Sequence, residues 1–197
     1  MTRIVVTEFI SLDGVIEEPR WTFQFERGPA GQSFKYDELF ASEALLLGRV
    51  TYQGFAQAWP SMGTDDFGRR MNSIPKYVVS STLTGAEAAW GPTTVLNGDV
   101  VAEITKLKAQ PGGDLLVEGS ARLAQTLIRH GLVDDYRLMV FPIVLGAGQR
   151  LFPPEMTDPA RLTLTEAKPD RDGVMLLTYQ PVPAGQVAEE GQEGNAR

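Results

Sequence analysis

The sequence contains no cysteine and a single histidine, His130, in 197 residues. The missing thiols exclude disulfide scaffolds, iron–sulfur clusters, thiol nucleophiles and cysteine-based zinc sites. One histidine excludes multi-histidine ligation, and no metal site is expected. No apolar run approaches the ~18 residues of a membrane-crossing helix, so no membrane partner is expected. An excess of basic charge is lacking too. Lys and Arg number 18 against 25 Asp and Glu, a formal net charge of −7, which speaks against a nucleic-acid partner held on a basic face. The opening MTRIVVTEF has no signal-peptide layout. Together with the absent cysteine this leads us to expect a cytoplasmic protein. Chemistry done without thiols and with one imidazole rests on carboxylates or on a bound cofactor.

What is present is an ordinary globular mixture, 43% hydrophobic and 22% charged. The length suits one domain, able to bury roughly two-thirds to three-quarters of its unfolded surface. We read 1–181 as that domain. The remainder, 182–197 (VPAGQVAEEGQEGNAR), has three Glu, one Arg and no aromatic residue. Such a segment buries too little to offset its ordering entropy and reads as a flexible acidic tail.

Along the domain, strand signals alternate with helix signals. Arg3–Ile10 reads as a strand, followed by the turn Ser11–Gly14. Glu17–Gln32 reads as a loop. Its alternating Trp21, Phe23 and Phe25 suit either an edge strand or a pocket cover. Ser33–Glu43 reads as a helix with Ser33 as N-cap. The unbroken run Ala44–Leu47 suits a strand buried on both faces, and Arg49–Trp59 the helix after it. Asp65–Ser73 is a further helix, and Lys76–Ser80, Thr93–Leu96 and Leu115–Val117 are short strands. Asp99–Lys108 and Ser120–His130 carry apolar residues at helical spacing, and Gly131 stops the second. Asp135–Val144 reads as a strand, and Arg161–Ala167 and Val174–Tyr179 flank the hairpin signal at 170–173. The pattern implies an α/β fold with a mainly parallel sheet and an antiparallel C-terminal edge.

In such sheets ligands bind beyond the carboxyl ends of the strands. Three strand–small-residue–helix junctions suit phosphate or ribose oxygens. At Gly48-Arg49-Val50-Thr51, a glycine allows close backbone approach, a helix N-terminus offers free N–H groups, and Arg49 and Thr51 add donors. Ser80, Ser81 and Thr82 supply hydroxyls that serve a ribose, or only a local turn. Gly119, Ser120 and Ala121 repeat the glycine-to-helix arrangement, with Ser120 also suited to capping. A Gly-x-Gly-x-x-Gly fingerprint and a Walker A sequence are both missing. Gly146-Ala147-Gly148-Gln149-Arg150 leads into Leu151-Phe152-Pro153-Pro154 and opens no helix. Trp21, Phe40, Phe55 and Trp59 are candidates for a platform under a flat heterocycle, or for core packing. Asp13 is the carboxylate best suited to substrate hydrogen bonding or proton delivery, or it serves only the turn before Gly14. His130, at a helix end, suits a dipole contact better than catalysis.

The segments FISLDG, LLLGRVTY, YVVSSTL, LLVEGSARLAQTLI and FPIVLGAGQRLF resemble the dihydrofolate reductase-like superfamily. Within it the chain is most similar, over about residues 3–180, to relatives of the C-terminal reductase domain of the bifunctional riboflavin-biosynthesis deaminase/reductase. The resemblance implies a three-layer α/β/α sandwich with a mostly parallel central sheet and an antiparallel C-terminal hairpin. It also implies NADPH as cofactor and a homodimer. Carried over, Gly48, Arg49 and Thr51 match the family's phosphate turn, and Ser80, Ser81 and Thr82 the turn beside the adenosine ribose and 2′-phosphate. Gly119, Ser120 and Ala121 match the turn beside the pyrophosphate and nicotinamide. Asp13 and Gly14 match the motif lining the substrate and nicotinamide pocket, and Gly146 lies in a loop bordering the cofactor.

Three departures stand out. Ser120 replaces the usual second glycine, and Val15 follows SLDG where the riboflavin reductases usually have Lys. The helix carboxylate that serves the pterin in folate reductases falls, counting back from Gly48, near Gln32 rather than on Asp37 or Glu38. The implied activity is an NADPH-dependent reductase of a small heterocycle, either a riboflavin-pathway aminopyrimidine ribosyl phosphate or a pterin-like molecule. The alternative is a non-catalytic nucleotide-binding or dimeric regulatory domain of the same fold.

Overall fold

A computed structural model describes residues 1–152, 156 and 159–183. The tail expected over 182–197 lies outside the described residues from 184 onward. Val182 itself is tied down, its N–H donating to the Arg161 carbonyl at 3.0 Å.

Eight strands form one sheet. They are β1 (Ile4–Ser11), β2 (Ser42–Gly48), β3 (Lys76–Val79), β4 (Thr93–Leu96), β5 (Asp114–Glu118), β6 (Asp135–Phe141), β7 (Leu162–Pro169) and β8 (Met175–Pro181). Their order across the sheet is β4-β3-β2-β5-β1-β6-β8-β7. The strands from β4 to β6 pair in parallel, while β6–β8 and β7–β8 are antiparallel. The expected architecture is present, with β8 rather than β7 set against the parallel part.

Helices cover both faces. Val5, Leu45, Leu47, Val78 and Leu116 pack with α1 (Pro29–Ala41), α2 (Arg49–Met62) and α3 (Asp66–Ser73). The alternate residues Ile4, Val6, Ala44, Leu46 and Val117 pack with α4 (Val100–Ala109) and α5 (Ala121–Arg129). This two-sided burial explains the unbroken run at 44–47, because Leu45, Leu46 and Leu47 are all fully inside. Asp65 and Asp99 cap α3 and α4 through their side chains, accepting from the Gly68 and Ala102 amides.

Two local readings are corrected. Glu17–Gln32 contains a 3-10 helix at Pro19–Gln24, and α1 begins at Pro29 with Gly28 as N-cap. Ser33 is therefore interior and exposed, not a cap. The cap comes from far along the chain. The Asp170 carboxylate accepts from the Gly28 and Gly31 amides at 3.0 and 3.1 Å. A Cβ on either glycine would collide with that carboxylate, so a side chain at either position would displace the cap. The aromatic alternation at 21–25 makes no edge strand. Trp21 and Phe25 instead meet the edge of Phe141, with ring centres 5.5 and 5.3 Å away, while Phe23 is exposed.

Candidate functional site

β2 and β5 are neighbours, yet α2 leaves β2 onto one face and α5 leaves β5 onto the other. That change of direction opens a crevice at their carboxyl ends. Gly48 and Ser120 stand on its two sides, and Ser120 closes the gap. Its hydroxyl accepts from the Gly48 N–H at 2.8 Å and donates to the Thr51 hydroxyl at 2.8 Å. A Cβ on Gly48 would come within 3.1 Å of the Ser120 hydroxyl, and one on Gly119 within 3.3 Å of Thr51. The structure therefore brings Gly48, Thr51, Gly119 and Ser120 into one contact, from two junctions some 70 residues apart in sequence (|i−j| 69 and 72), with Ala121 opening α5 beside it.

The reading of Ser120 as a side-chain N-cap is not what the backbone adopts. Ser120 has φ +66° and makes no capping bond to α5. Left-handed backbone costs a non-glycine residue about 1–2 kcal/mol. This explains why the matching family position favours glycine. Here the bonds to Gly48 and Thr51 offset the strain. Neither α2 nor α5 has a side-chain cap, so the first-turn amides of both helices carry partial positive charge without a side-chain acceptor. Two helix starts facing one crevice fit a pyrophosphate, whose oxygens are acceptors only.

Arg49 lies on the exposed start of α2 and bonds Gln53 at 3.0 Å. Beyond β3, the Ser80 hydroxyl accepts from the Thr82 and Leu83 amides at 3.1 and 2.8 Å, so it builds the turn and leaves Ser81 and Thr82 exposed. His130 is the exposed C-cap of α5.

Beyond the carboxyl end of the neighbouring β1, Asp13 receives bonds from all around it. Ser11 donates its hydroxyl at 2.7 Å, Leu145 and Gly146 their amides at 3.1 and 2.9 Å, and Arg150 lies at 3.4 Å. The Ser11 hydroxyl and those amides hold its pKa down at about 2. A carboxyl so held stays ionised at neutral pH and is an anchor for the 145–150 loop, not a proton donor. Gly14 (φ +85°) and Gly146 (φ +78°) occupy backbone that favours glycine. A cavity of about 480 Å³ opens beside this loop, lined in part by Val15, Glu17, Trp21 and Leu145.

The four aromatic candidates do not make one platform. Trp21 reaches the cavity next to Gly14. Phe55 and Trp59 face Trp90 and Phe67 under α2 and α3, with ring centres 5.7–6.3 Å apart. Phe40 stacks on Tyr36 at 4.1 Å on the outside of α1. Both placements follow the helical repeat.

Sequence reasoning missed a buried ionic cluster at the end of β5 and the middle of β1. Lys35 of α1 pairs with Glu38 and with Glu118, the latter at 2.9 Å, and donates to the Thr7 hydroxyl at 3.2 Å. Thr7 in turn bonds Glu38 at 2.9 Å. Burial works against the Lys35 ammonium, but Glu118 and Glu38 outweigh it and hold its pKa well above the ordinary value. Burial pushes Glu38 upward, as it does Glu8, which lies next to the Gly119 amide. The signal was a charge inside otherwise apolar strands, at Glu8 in IVVTEFIS and at Glu118 ending DLLVE. Glu38 faces inward although the count back from Gly48 pointed to Gln32, which is exposed. Among the described residues, no group of His, Asp and Glu is arranged to hold a metal ion, and no helix is long and apolar enough to cross a membrane.

Comparison with known proteins gives a consistent result. The family model of the RibD C-terminal domain matches residues 2–176. The uncharacterized protein YyaP of Bacillus subtilis (strain 168) is 29% identical over 181 residues, covering 90% of this chain and 94% of YyaP. Among solved structures, a putative riboflavin biosynthesis protein from Shewanella sp. PV-4 superposes with a TM-score of 0.73 at 21% identity, covering 91% of this chain and 99% of that one. A diaminohydroxyphosphoribosylaminopyrimidine deaminase/5-amino-6-(5-phosphoribosylamino)uracil reductase from Thermotoga maritima gives 0.63 at 14% identity. This chain spans 57% of that longer protein and is itself covered over 92%. The shared fold is the dihydrofolate reductase-like one.

Proposed function

Since the chain belongs to the RibD C-terminal domain family, a family of reductases, we propose that it is an NADPH-dependent reductase of a small heterocyclic substrate. A riboflavin-pathway aminopyrimidine ribosyl phosphate or a pterin-like molecule is the substrate class. The observation that carries this is the Ser120 contact, which sets the uncapped starts of α2 and α5 on either side of one crevice.

In this reading the amides at the starts of α2 and α5 hold the pyrophosphate. Arg49, Ser81 and Thr82 receive the adenosine ribose and its 2′-phosphate. Gly119 lets the nicotinamide approach the sheet end without a Cβ in the way. The bound cofactor supplies the hydride, so no protein nucleophile is required. Asp13 fixes the 145–150 loop beside the substrate, with Val15, next to Gly14, and Trp21 lining the same cavity, and the chain's part is orientation and exclusion of water. A single domain over 1–181 and a homodimer belong to the same proposal.

The test is direct. NADPH should raise the melting temperature, because a ligand of the native state stabilises it, and a substrate of this class should accelerate NADPH oxidation. Arg49→Ala should weaken NADPH binding several-fold without altering the melting temperature of the free protein. No thermal shift with NADPH refutes the reading. Tight binding without turnover of any such substrate favours the regulatory alternative.

A further inference from the structure

Arg27 sits between two amides that the C-terminal hairpin holds. The Glu26 N–H donates to the Asp172 carboxylate at 2.6 Å, and the Gly28 N–H to Asp170 at 3.0 Å. The backbone at 27 is thereby fixed on both sides, by residues 146 and 142 positions further along. The Arg27 guanidinium lies 5.1 Å from the centre of the Phe9 ring, which is half-buried near the carboxyl end of β1. Lys35 lies 5.3 Å from the same centre.

The two cations differ in what they hold. Lys35 is engaged by Glu38 and Glu118. Around Arg27 the carboxylates are committed elsewhere. Glu26 pairs with Arg171, and Asp170 and Asp172 accept backbone amides. Among the described residues nothing accepts a hydrogen bond from the Arg27 guanidinium. An aromatic face keeps a guanidinium in place but takes none of its N–H donors. Those donors form a planar fork that fits a phosphate or a carboxylate through two parallel bonds.

The place of the fork matters as much as its freedom. Phe9 and the cavity-lining Trp21 both pack on Phe141, with ring centres 5.8 and 5.5 Å away. From Phe9, Lys35 leads on to Glu118, the residue before the Gly119 turn. We propose that Arg27 is a specificity-determining residue that receives an anionic substituent of the substrate, a phosphate or a carboxylate. The heterocycle then lies between Phe9 and the Gly119 turn. This rests on the NADPH reading above, which sets the nicotinamide at that turn, and it narrows the substrate class to heterocycles with an acidic arm.

The experiment compares charged and uncharged partners. One pair is an aminopyrimidine ribosyl phosphate and its dephosphorylated form. The other is a pterin with a carboxylate side chain and one without. In NADPH oxidation the anionic member of one pair should have the lower KM, and which pair it is tells phosphate from carboxylate. Arg27→Gln should raise that KM about tenfold or more, the size of a lost charge-assisted bond, and erase the preference over the uncharged partner. Arg27→Lys, which keeps the charge but not the fork, should restore part of it. The thermal shift caused by NADPH should be the same in both variants. Equal loss for both partners, or no loss, overturns the proposal. A second readout needs neither cofactor nor turnover. Ribose 5-phosphate or glutarate, titrated into the free protein, should move the Arg27 Nε–H resonance in a saturable way, that resonance being identified by its loss in Arg27→Gln. No saturable shift with either anion overturns the proposal, whether or not NADPH binds. A saturable shift in a protein that fails to bind NADPH refutes the NADPH reading and supports the anion site on its own.

Discussion

Two buried lysines, at opposite ends of the sheet, are held in opposite ways. Lys35, over the carboxyl end of β5 and the middle of β1, sits among Glu38, Glu118 and the Thr7 hydroxyl. Lys76 opens β3 at the amino end and is 1% exposed. Its ammonium has no carboxylate. It donates to the Ile74 and Asn72 carbonyls at 2.6 and 3.2 Å and lies 4.2 Å from the centre of the Trp90 ring. Burial, helped by the nearby Arg70 guanidinium, pulls its pKa down to about 8, whereas Lys35 is held well above the ordinary value. At Lys76 neutral dipoles and a π-face suffice, because the ammonium fixes the 72–76 bend and nothing else. At Lys35 two carboxylates, Glu38 and Glu118, converge on one ammonium, and their charge is retained at the cost of burying it.

The sharpest way to break this contrast is Lys35→Met. It strands Glu38 and Glu118 without a cation, and we expect a loss of about 3–5 kcal/mol, the size seen when one partner of a buried pair is removed, read by urea denaturation. A loss no greater than that of Lys76→Met would erase the distinction. Lys76 is tested by the pH dependence of stability. Its folded pKa is below that of the unfolded chain, so between about pH 8 and 10.5 the unfolded state binds more protons and stability rises with pH. Lys35 contributes in the opposite sense. Its stabilisation is complete below 10.5 and is lost as pH climbs past that value. Lys76→Met should flatten the rise above pH 8, and an unchanged profile would show that Lys76 is not its source. The smallest effect is at the crevice. Ser120→Ala keeps the left-handed strain and loses the hydroxyl, for about 1 kcal/mol and weaker NADPH binding. Ser120→Gly also loses the hydroxyl but removes the strain and should cost less, so the opposite order would mean that the left-handed backbone at 120 carries no strain.

Much of this was legible in the chain because it is written locally. The two-sided burial of 44–47, the helices opening at Asp65 and Asp99, and the glycine junctions at 48 and 119 all depend on neighbours within a few residues. The start of α1 was not legible, since Asp170 caps it across 142 positions. The Lys35 cluster was hidden for the same reason, as its partners are drawn from α1, β1 and β5, up to 83 positions apart. Asp13 shows the limit differently. Its place beside the pocket follows from the motif, but its low pKa depends on amides from residues 145 and 146. Phe55 and Trp59 were ambiguous because a helix face says nothing about whether core or ligand covers it.

The cap on α1 also has a meaning for the order of events during synthesis. The strand that ends at Ser11 lies between β5 and β6, and the first helix is finished only by residue 170. On a ribosome adding about 5–20 residues per second, the N-terminal strand therefore waits several seconds without its parallel partners. The helix behind it stays frayed until the C-terminal hairpin has been made. Truncations short of Asp170 should accordingly leave the start of α1, around residues 28–31, susceptible to protease while β1, held between β5 and β6, is already protected, a state in which the chain's last hairpin acts as the latch on its first helix.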